Sequence, residues 1–354
     1  MSTPLSQDRR RERAVAASPR LAGLALGVAI AAVGVRSVLA GGDVPPEPTT
    51  LTALTSWTFD PFLQVPLIAL TILYLVAIRR IDRAHPATPV PSSRVLAFLL
   101  GIASIEVALQ SAIGVYDDAF FSVHMVQHML LMFIAAPLLL MGTPITVLLR
   151  AVPPEVRNRR VLPVLHSRVV RLLGHPLVAW MLFTVVIYAS HLSPFFELAL
   201  ENDIVHRLEH VLFLGSALLF WWPVIGLDPG PRRLAYPVRV LYLALAFPLM
   251  TFVALAIFSA PDVLYPHYAS LDLGWGPAAL DDQQAAAAIM WVWGDLTFLA
   301  SIILVVAAWL RDEERRTART EGRVDAERAV IRQREERLAA RLAAERAGEG
   351  PERG

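Results

Sequence analysis

The apolar stretch that decides the fold covers residues 121–149 and reads FSVHMVQHMLLMFIAAPLLLMGTPITVLL. It contains no Asp, Glu or Arg over 29 residues. A helix needs only about 20 apolar residues to cross the hydrocarbon core of a bilayer. The stretch therefore predicts a transmembrane helix that is tilted, or broken at Pro137 or around Gly142-Thr143-Pro144.

The composition of the whole chain points the same way. Of its 354 residues, 55% are hydrophobic and 18% are charged, whereas soluble domains carry about a quarter charged residues. The charges concentrate at the ends, with 7 in 1–20 and 23 in 311–354. Because there is no Cys, disulfides, iron–sulfur clusters and thiolate metal sites are excluded. We expect a membrane domain between two charged tails.

Eight apolar runs are long enough to be membrane spans. They lie near 21–40, 61–78, 95–114, 121–149, 176–190, 205–226, 238–259 and 285–310. The predicted fold is an all-α, polytopic transmembrane helix bundle. Seven spans remain if the first is a cleaved signal, because a basic segment precedes it and small residues follow it.

The charges of the connecting loops predict the orientation of the bundle. One set of alternate loops contains 13 Arg and 3 acidic residues, and the other contains 12 acidic residues and no Arg. The Arg-rich set is 79–94, 150–175 and 227–239, and the acidic set is 41–60, 114–120, 191–204 and 260–284. Since Arg accumulates on the cytoplasmic side, we expect the acidic loops outside and, with eight spans, both termini in the cytoplasm.

This topology gives three regions. Residues 1–20 form an Arg-rich cytoplasmic tail, 21–310 the transmembrane domain, and 311–354 a charged helical cytoplasmic tail. Val324, Ile331 and Leu338 recur at heptad spacing in that last tail, so it is either a solvated helix or a weak coiled-coil seam for a partner.

Histidines gather at the predicted external ends of the helices. His124 and His128 are four residues apart at the start of the fourth span, so their side chains lie on one helix face, near enough to bind one metal ion. His206 and His210 repeat this spacing in the sixth span, and His191 ends the fifth span at the same surface. The pattern predicts a metal site at the external face.

The donor types suggest which metal binds there. Imidazole without thiolate suits zinc, copper or iron, and thioether sulfur favours Cu(I). Met125, which flanks His124, therefore makes copper the leading candidate, with zinc or haem as alternatives. Four polar residues in the same helices are candidates for orienting the ligands, namely Glu106, Gln127, Glu209 and Asp295. Glu106 and Asp295 are equally compatible with a hydrogen-bonded acid pair that holds helices together.

Four separated motifs, in order, resemble one protein family. They are His124-Met125-Val126-Gln127-His128-Met129-Leu130-Leu131 followed by Ala136-Pro137-Leu138-Leu139-Leu140 and Gly142-Thr143-Pro144; His191-Leu192-Ser193-Pro194; His206 to His210 leading into Phe220-Trp221-Trp222-Pro223; and Asp282-Gln283-Gln284 followed by Ile289-Met290-Trp291. Over roughly 60–310 the chain resembles the CtaG family of caa3-type cytochrome c oxidase assembly factors.

The resemblance implies a non-enzymatic protein of the bacterial plasma membrane that assists maturation of the oxidase metal centre, by handling copper. It implies that His124, His128, His191, His206 and His210 are the ligands. Cytochrome c oxidase subunits and the lipid bilayer are the implied partners, an external copper chaperone is a further candidate, and nucleic acid is not expected.

Other functions remain open from the residues alone. Two helices that each offer histidines can hold haem in an electron-transfer protein. His206, Glu209 and His210 also spell the H-x-x-E-H pattern of one metalloprotease group, in which the glutamate activates a zinc-bound water. Transport of copper across the membrane overlaps with the leading interpretation, although no polar path deeper than Glu106 and Asp295 is evident.

Overall fold

The computed structural model describes residues 45–230, 233–271 and 273–348, and these residues form helices with no β-strand among them. The α-helices are α1 Thr50–Thr55, α2 Pro61–Ala84, α3 Ser92–Gln110, α4 Ile113–Tyr116, α5 Phe121–Met129, α6 Ala136–Met141, α7 Pro144–Ala151, α8 Pro154–Val156, α9 Leu162–Leu165, α10 Arg168–Leu173, α11 Pro176–Leu192, α12 Phe195–Glu201, α13 Asp203–Ile225, α14 Tyr236–Phe258, α15 Pro266–Ser270 and α16 Ala279–Gly348. Two π-helical segments, Leu130–Ala135 and Arg157–Val161, complete the described helices.

Among the described residues, six helical segments are long and apolar enough to cross a membrane, and a seventh results if α11 and α12 count as one span. Those two helices meet at an angle of 69° around Ser193 and Pro194. The predicted spans from 61–78 onwards therefore each correspond to a helix. The predicted first span, 21–40, lies outside the described residues, so the structure supports six to seven of the eight predicted spans.

The 121–149 stretch forms one span with two irregularities. A π-helical turn, Leu130–Ala135, joins α5 to α6 just before Pro137. Proline has no N–H to donate, and such wider turns accommodate the interruption of the helical ladder. The chain then breaks between α6 and α7, where Thr143 adopts a left-handed conformation with φ of 51° and ψ of 52°. The predicted break around Gly142-Thr143-Pro144 is thus present.

Two hydrophobic clusters hold the bundle together. The larger joins α5, α11, α13, α14 and α16, with Phe213, Phe220 and Phe298 fully buried in it. The smaller packs α2 and α3 against α6 and α7. Outward-facing residues of α2 such as Phe62, Ile72 and Leu73 stay exposed in the isolated chain, as expected for side chains that face lipid.

The last span does not stop at the predicted membrane boundary. α16 runs as one helix from Ala279 to Gly348, so it joins the membrane domain directly to the charged tail. Val324, Ile331 and Leu338 are exposed on this extension.

Candidate metal centre

Two helices place their histidines against each other at one end of the bundle. α5 begins at Phe121, where the Asp282 carboxylate of α16 accepts hydrogen bonds from the Ser122 N–H, at 3.2 Å, and from its hydroxyl. One turn into this helix, His124 and His128 are fully buried with their Nε2 atoms 3.0 Å apart. The four-residue spacing therefore gives a pair of converging imidazoles, as the sequence predicts.

Glu209 of α13 completes a compact group of three donors with these histidines. Its Oε2 lies 3.6 Å from His124 Nε2 and 3.9 Å from His128 Nε2. Two ligands at about 2.0–2.1 Å from one tetrahedral ion lie about 3.3 Å apart, so the three separations fit a shared ion. Both carboxylate oxygens are buried without a hydrogen-bond partner among the described residues. This donor set suits a cation.

A second group uses the histidine pair of α13. One donor atom each from His124, His206 and His210 lie within 4.8 Å of one another. The rings of His124 and His206 stack with centroids 5.0 Å apart, and those of His206 and His210 lie 4.5 Å apart. The His206 side chain keeps 16% of its surface exposed, so this group reaches the rim of the protein.

A hydrogen-bond network fixes the tautomer of His210. The amide nitrogen of Gln127 donates to Asp117 Oδ2 at 2.7 Å and to the carbonyl of Ala108 at 3.1 Å. Its oxygen must therefore face His210 Nε2, which lies 2.8 Å away and acts as the donor. The lone pair of neutral His210 is then on Nδ1, where it is free to bind a metal.

His191 lies beside the pair from the end of α11. Its Nδ1 donates to the carbonyl of Ile187 at 2.8 Å, which leaves the lone pair on Nε2. That Nε2 is buried and has no hydrogen-bond partner among the described residues. The His191 ring centroid lies 6.3 Å from that of His128, so the structure brings all five predicted histidines together.

Asp117, in the turn after α4, and Tyr268, in the short helix α15, support the cluster. The Tyr268 hydroxyl donates to the carbonyl of Asp117 at 2.9 Å and lies 3.4 Å from His124 Nδ1. Burial, aided by nearby carboxylates, raises the pKa of Tyr268 well above its ordinary value, so the phenol stays protonated. Burial and the charge of neighbouring Asp118 raise the pKa of Asp117 to about 6, against the opposing influence of His206.

Aromatic rings fill the space beside the imidazoles. Phe196 of α12 lies 4.9 Å from the His124 ring, and Phe213 lies 4.1 Å from the His128 ring, measured between centroids. Both phenylalanines are fully buried. Such packing favours a small ion over a flat macrocycle, because haem needs an open slot beside its axial ligands.

The other predicted site residues lie elsewhere. Glu106 accepts from Gln64 Nε2 at 2.6 Å, and Asp295 accepts from the Thr251 hydroxyl at 3.1 Å. Neither acid is a described hydrogen-bond partner of the imidazoles or of the other acid; each instead bonds to a neighbouring helix, Glu106 to α2 and Asp295 to α14. Met125 is fully buried in the larger hydrophobic cluster, about 100° around the helix from His124.

Two supports of the cluster, Asp117 and Tyr268, belong to no motif in the sequence. Asp117 is one of the acidic residues of the predicted external loop 114–120. The sequence predicts that Glu209 orients the ligands, and in the structure its carboxylate lies among the possible donor atoms. The H-x-x-E-H spacing carried that signal, because residues three and four apart share a helix face.

Comparison with known proteins agrees with the motifs. Residues 72–312 match the family described as cytochrome c oxidase caa3 assembly factor. Uncharacterised proteins of Mycobacterium bovis and Mycobacterium tuberculosis are each 30% identical over 299 residues, which is 82% of this chain and 45% of theirs. A Mycobacterium leprae protein is 30% identical over 295 residues, which is 81% of this chain and 44% of its own.

The chain thus spans less than half the length of these relatives. No solved structure matches it. The family match covers well over half of the sequence and includes all five clustered histidines. The chain belongs to the family of caa3-type cytochrome c oxidase assembly factors.

Proposed function

We propose that this protein binds copper at the external face of the bacterial plasma membrane and delivers it during maturation of the oxidase metal centre. Copper is the cargo, and the protein performs no turnover chemistry of its own. The observation that carries the proposal is the buried group of His124, His128 and Glu209, whose donor atoms are spaced for one ion.

The chemistry of the donors supports a metal over a purely structural role. A buried carboxylate without hydrogen bonds is costly unless a cation compensates its charge or a proton neutralises it. The imidazoles of His191 and His210 each present a free lone pair, because a hydrogen bond occupies the other ring nitrogen. Imidazole donors without thiolate suit copper, and zinc has the same ligand preferences here.

The loop charges support the external location. The cluster lies where α5 and α13 begin and α11 ends, at the end of the bundle that carries the acidic loops. The Arg-rich loops lie at the opposite helix ends, and Arg accumulates on the cytoplasmic side of bacterial membranes. On this orientation, copper arrives from outside, either free or on an external chaperone, and oxidase subunits receive it.

Oxidase copper content tests the proposal directly. In cells that carry His124→Ala with His128→Ala, we expect the oxidase to lose copper while the variant protein stays in the membrane at normal abundance. The matched control is His85→Ala with His166→Ala, a double change at the Arg-rich end, which should leave oxidase copper unchanged. Normal oxidase copper in the His124/His128 strain would refute the proposal.

A further inference from the structure

The two groups of donors share His124. One comprises His124, His206 and His210, here named the rim position, and the other comprises His124, His128 and Glu209, here named the buried position. A neutral imidazole carries one lone pair in the plane of its ring. His124 can therefore bind only one ion at a time, and the two positions exclude simultaneous occupation.

The positions differ in access. His206 keeps 16% of its side chain exposed, whereas the side chains of His124 and Glu209 keep none. His206 and His210 are both partly exposed, whereas His124, His128 and Glu209 are buried. The rim position therefore lies nearer the protein surface than the buried position, and the Nε2 atom of His206 is itself buried.

The positions also differ in charge. The rim position offers three neutral imidazoles as ligands, and the Asp117 carboxylate lies beside it, with Oδ2 at 3.9 Å from His206 Nε2. The buried position offers the Glu209 carboxylate, which neutralises one unit of that charge. His191 lies on the His128 side, and its buried Nε2 has no hydrogen-bond partner among the described residues. The buried position therefore holds a cation more tightly.

We propose that one copper ion moves between these positions, with His124 bound throughout. His128 and Glu209 hold the stored ion, and His206 and His210 replace them as ligands when the ion is handed over. The step exchanges coordination bonds and changes no oxidation state. This inference rests on the proposed copper-binding function and adds the route by which the ion leaves.

Release kinetics distinguish a two-position site from a single five-ligand site. The full chain in detergent micelles is loaded with Cu(I), and release to excess bathocuproine disulfonate is followed by absorbance. We expect one ion per chain. Glu209→Gln should speed release about tenfold or more, because it weakens the buried position. His206→Ala should slow release severalfold. It also removes a ligand, but that ligand belongs to the rim position, through which the ion is proposed to leave.

The test depends on the release rate changing in opposite directions in the two variants, faster in Glu209→Gln and slower in His206→Ala. Glu197→Gln is the matched control. Glu197 is a partly buried carboxylate at the same end of the bundle, and it accepts a hydrogen bond from the backbone N–H of His267. The Glu197→Gln variant should release copper like the wild type. If Glu209→Gln does not fold, His128→Ala should speed release in its place. Two ions per chain, or faster release in both His206→Ala and Glu209→Gln, would overturn the inference. A wild type that binds no copper would instead refute the proposed function.

Discussion

Two buried carboxylates, at opposite ends of the bundle, have contrasting surroundings. Asp228, near the Arg-rich end, accepts hydrogen bonds from the backbone of Ile145 at 3.1 Å and of Thr146 at 2.8 Å, and from the Thr146 hydroxyl at 2.6 Å. Glu209, at the histidine end, accepts none among the described residues. The exposed fractions are 3% for Asp228 and 0% for Glu209, so burial does not distinguish them.

The two carboxylates differ in the groups that compensate their negative charge. Asp228 sits at the N-terminus of α7, where unpaired N–H groups and the helix dipole favour an anion. That carboxylate is a structural cap. Glu209 has imidazole nitrogens in front of it at distances too long for hydrogen bonds and suited to a shared ion. The comparison separates a residue that holds the fold from one that is arranged for a ligand.

Removal of the Asp228 cap should have the largest effect on stability. Asp228→Ala leaves two backbone N–H groups of α7 without their acceptor, and we expect the free energy of unfolding to fall by about 3 kcal/mol. Equilibrium unfolding in mixed micelles of rising denaturing-detergent content measures this. Protein that remains folded should still bind copper with wild-type stoichiometry. A variant as stable as the wild type would mean that Asp228 is not the cap described here.

Gln127 tests whether the network behind the histidines acts on the metal. Gln127→Met keeps the size of the side chain but removes the oxygen that fixes the tautomer of His210. We expect copper affinity to fall about 10- to 100-fold, measured by competition with a chromogenic chelator.

Gln64→Met provides the matched control for this change. Gln64 donates to Glu106 rather than to a residue of the cluster, so its loss should leave copper affinity unchanged. Equal losses of affinity in the two variants would indicate a general disturbance of the bundle, and the assigned positioning role of Gln127 would then be wrong.

An amide in place of each carboxylate sharpens the comparison itself. Asp228→Asn should lower the stability of the metal-free protein by about 1–2 kcal/mol, since an amide is a weaker acceptor at a helix N-terminus. Glu209→Gln should leave stability unchanged or raise it by up to about 2 kcal/mol, since it gives up no protein hydrogen bond. The same unfolding measurement serves both. If Glu209→Gln lost as much stability as Asp228→Asn, the distinction between a structural carboxylate and one arranged for a ligand would be wrong.

The sequence predicted the histidines of this centre because helical spacing is a local property. His124 with His128, and His206 with His210, follow from the four-residue repeat alone. The family, too, could be identified from the order of the motifs, and the match over residues 72–312 confirms it. Span positions followed from apolar length, and the described residues contain six to seven of the eight predicted spans, while the first, 21–40, lies outside them.

Contacts between helices could not be predicted in the same way. The rotation of each helix about its axis depends on side-chain packing, which brings Glu209 to His124 and leaves Glu106 with Gln64. Asp117 and Tyr268 come from separate connections between the long helices, and the contact between them depends on how the whole bundle packs. A single sequence contains no periodic signal for such contacts.

The smallest expected effect on stability is at Thr143, beside the Asp228 cap. This residue lies directly before α7, with a positive φ of 51° that is unfavourable for a residue with a Cβ atom. Thr143→Gly and Thr143→Ala both remove the hydroxyl, so their difference isolates the cost of that Cβ. We expect Thr143→Gly to be more stable than Thr143→Ala by about 1 kcal/mol in mixed-micelle unfolding. Both should bind copper like the wild type, because the cap that Asp228 forms on α7 is remote from the histidines. Equal stability of the two variants would show that the left-handed turn does not persist in the folded protein.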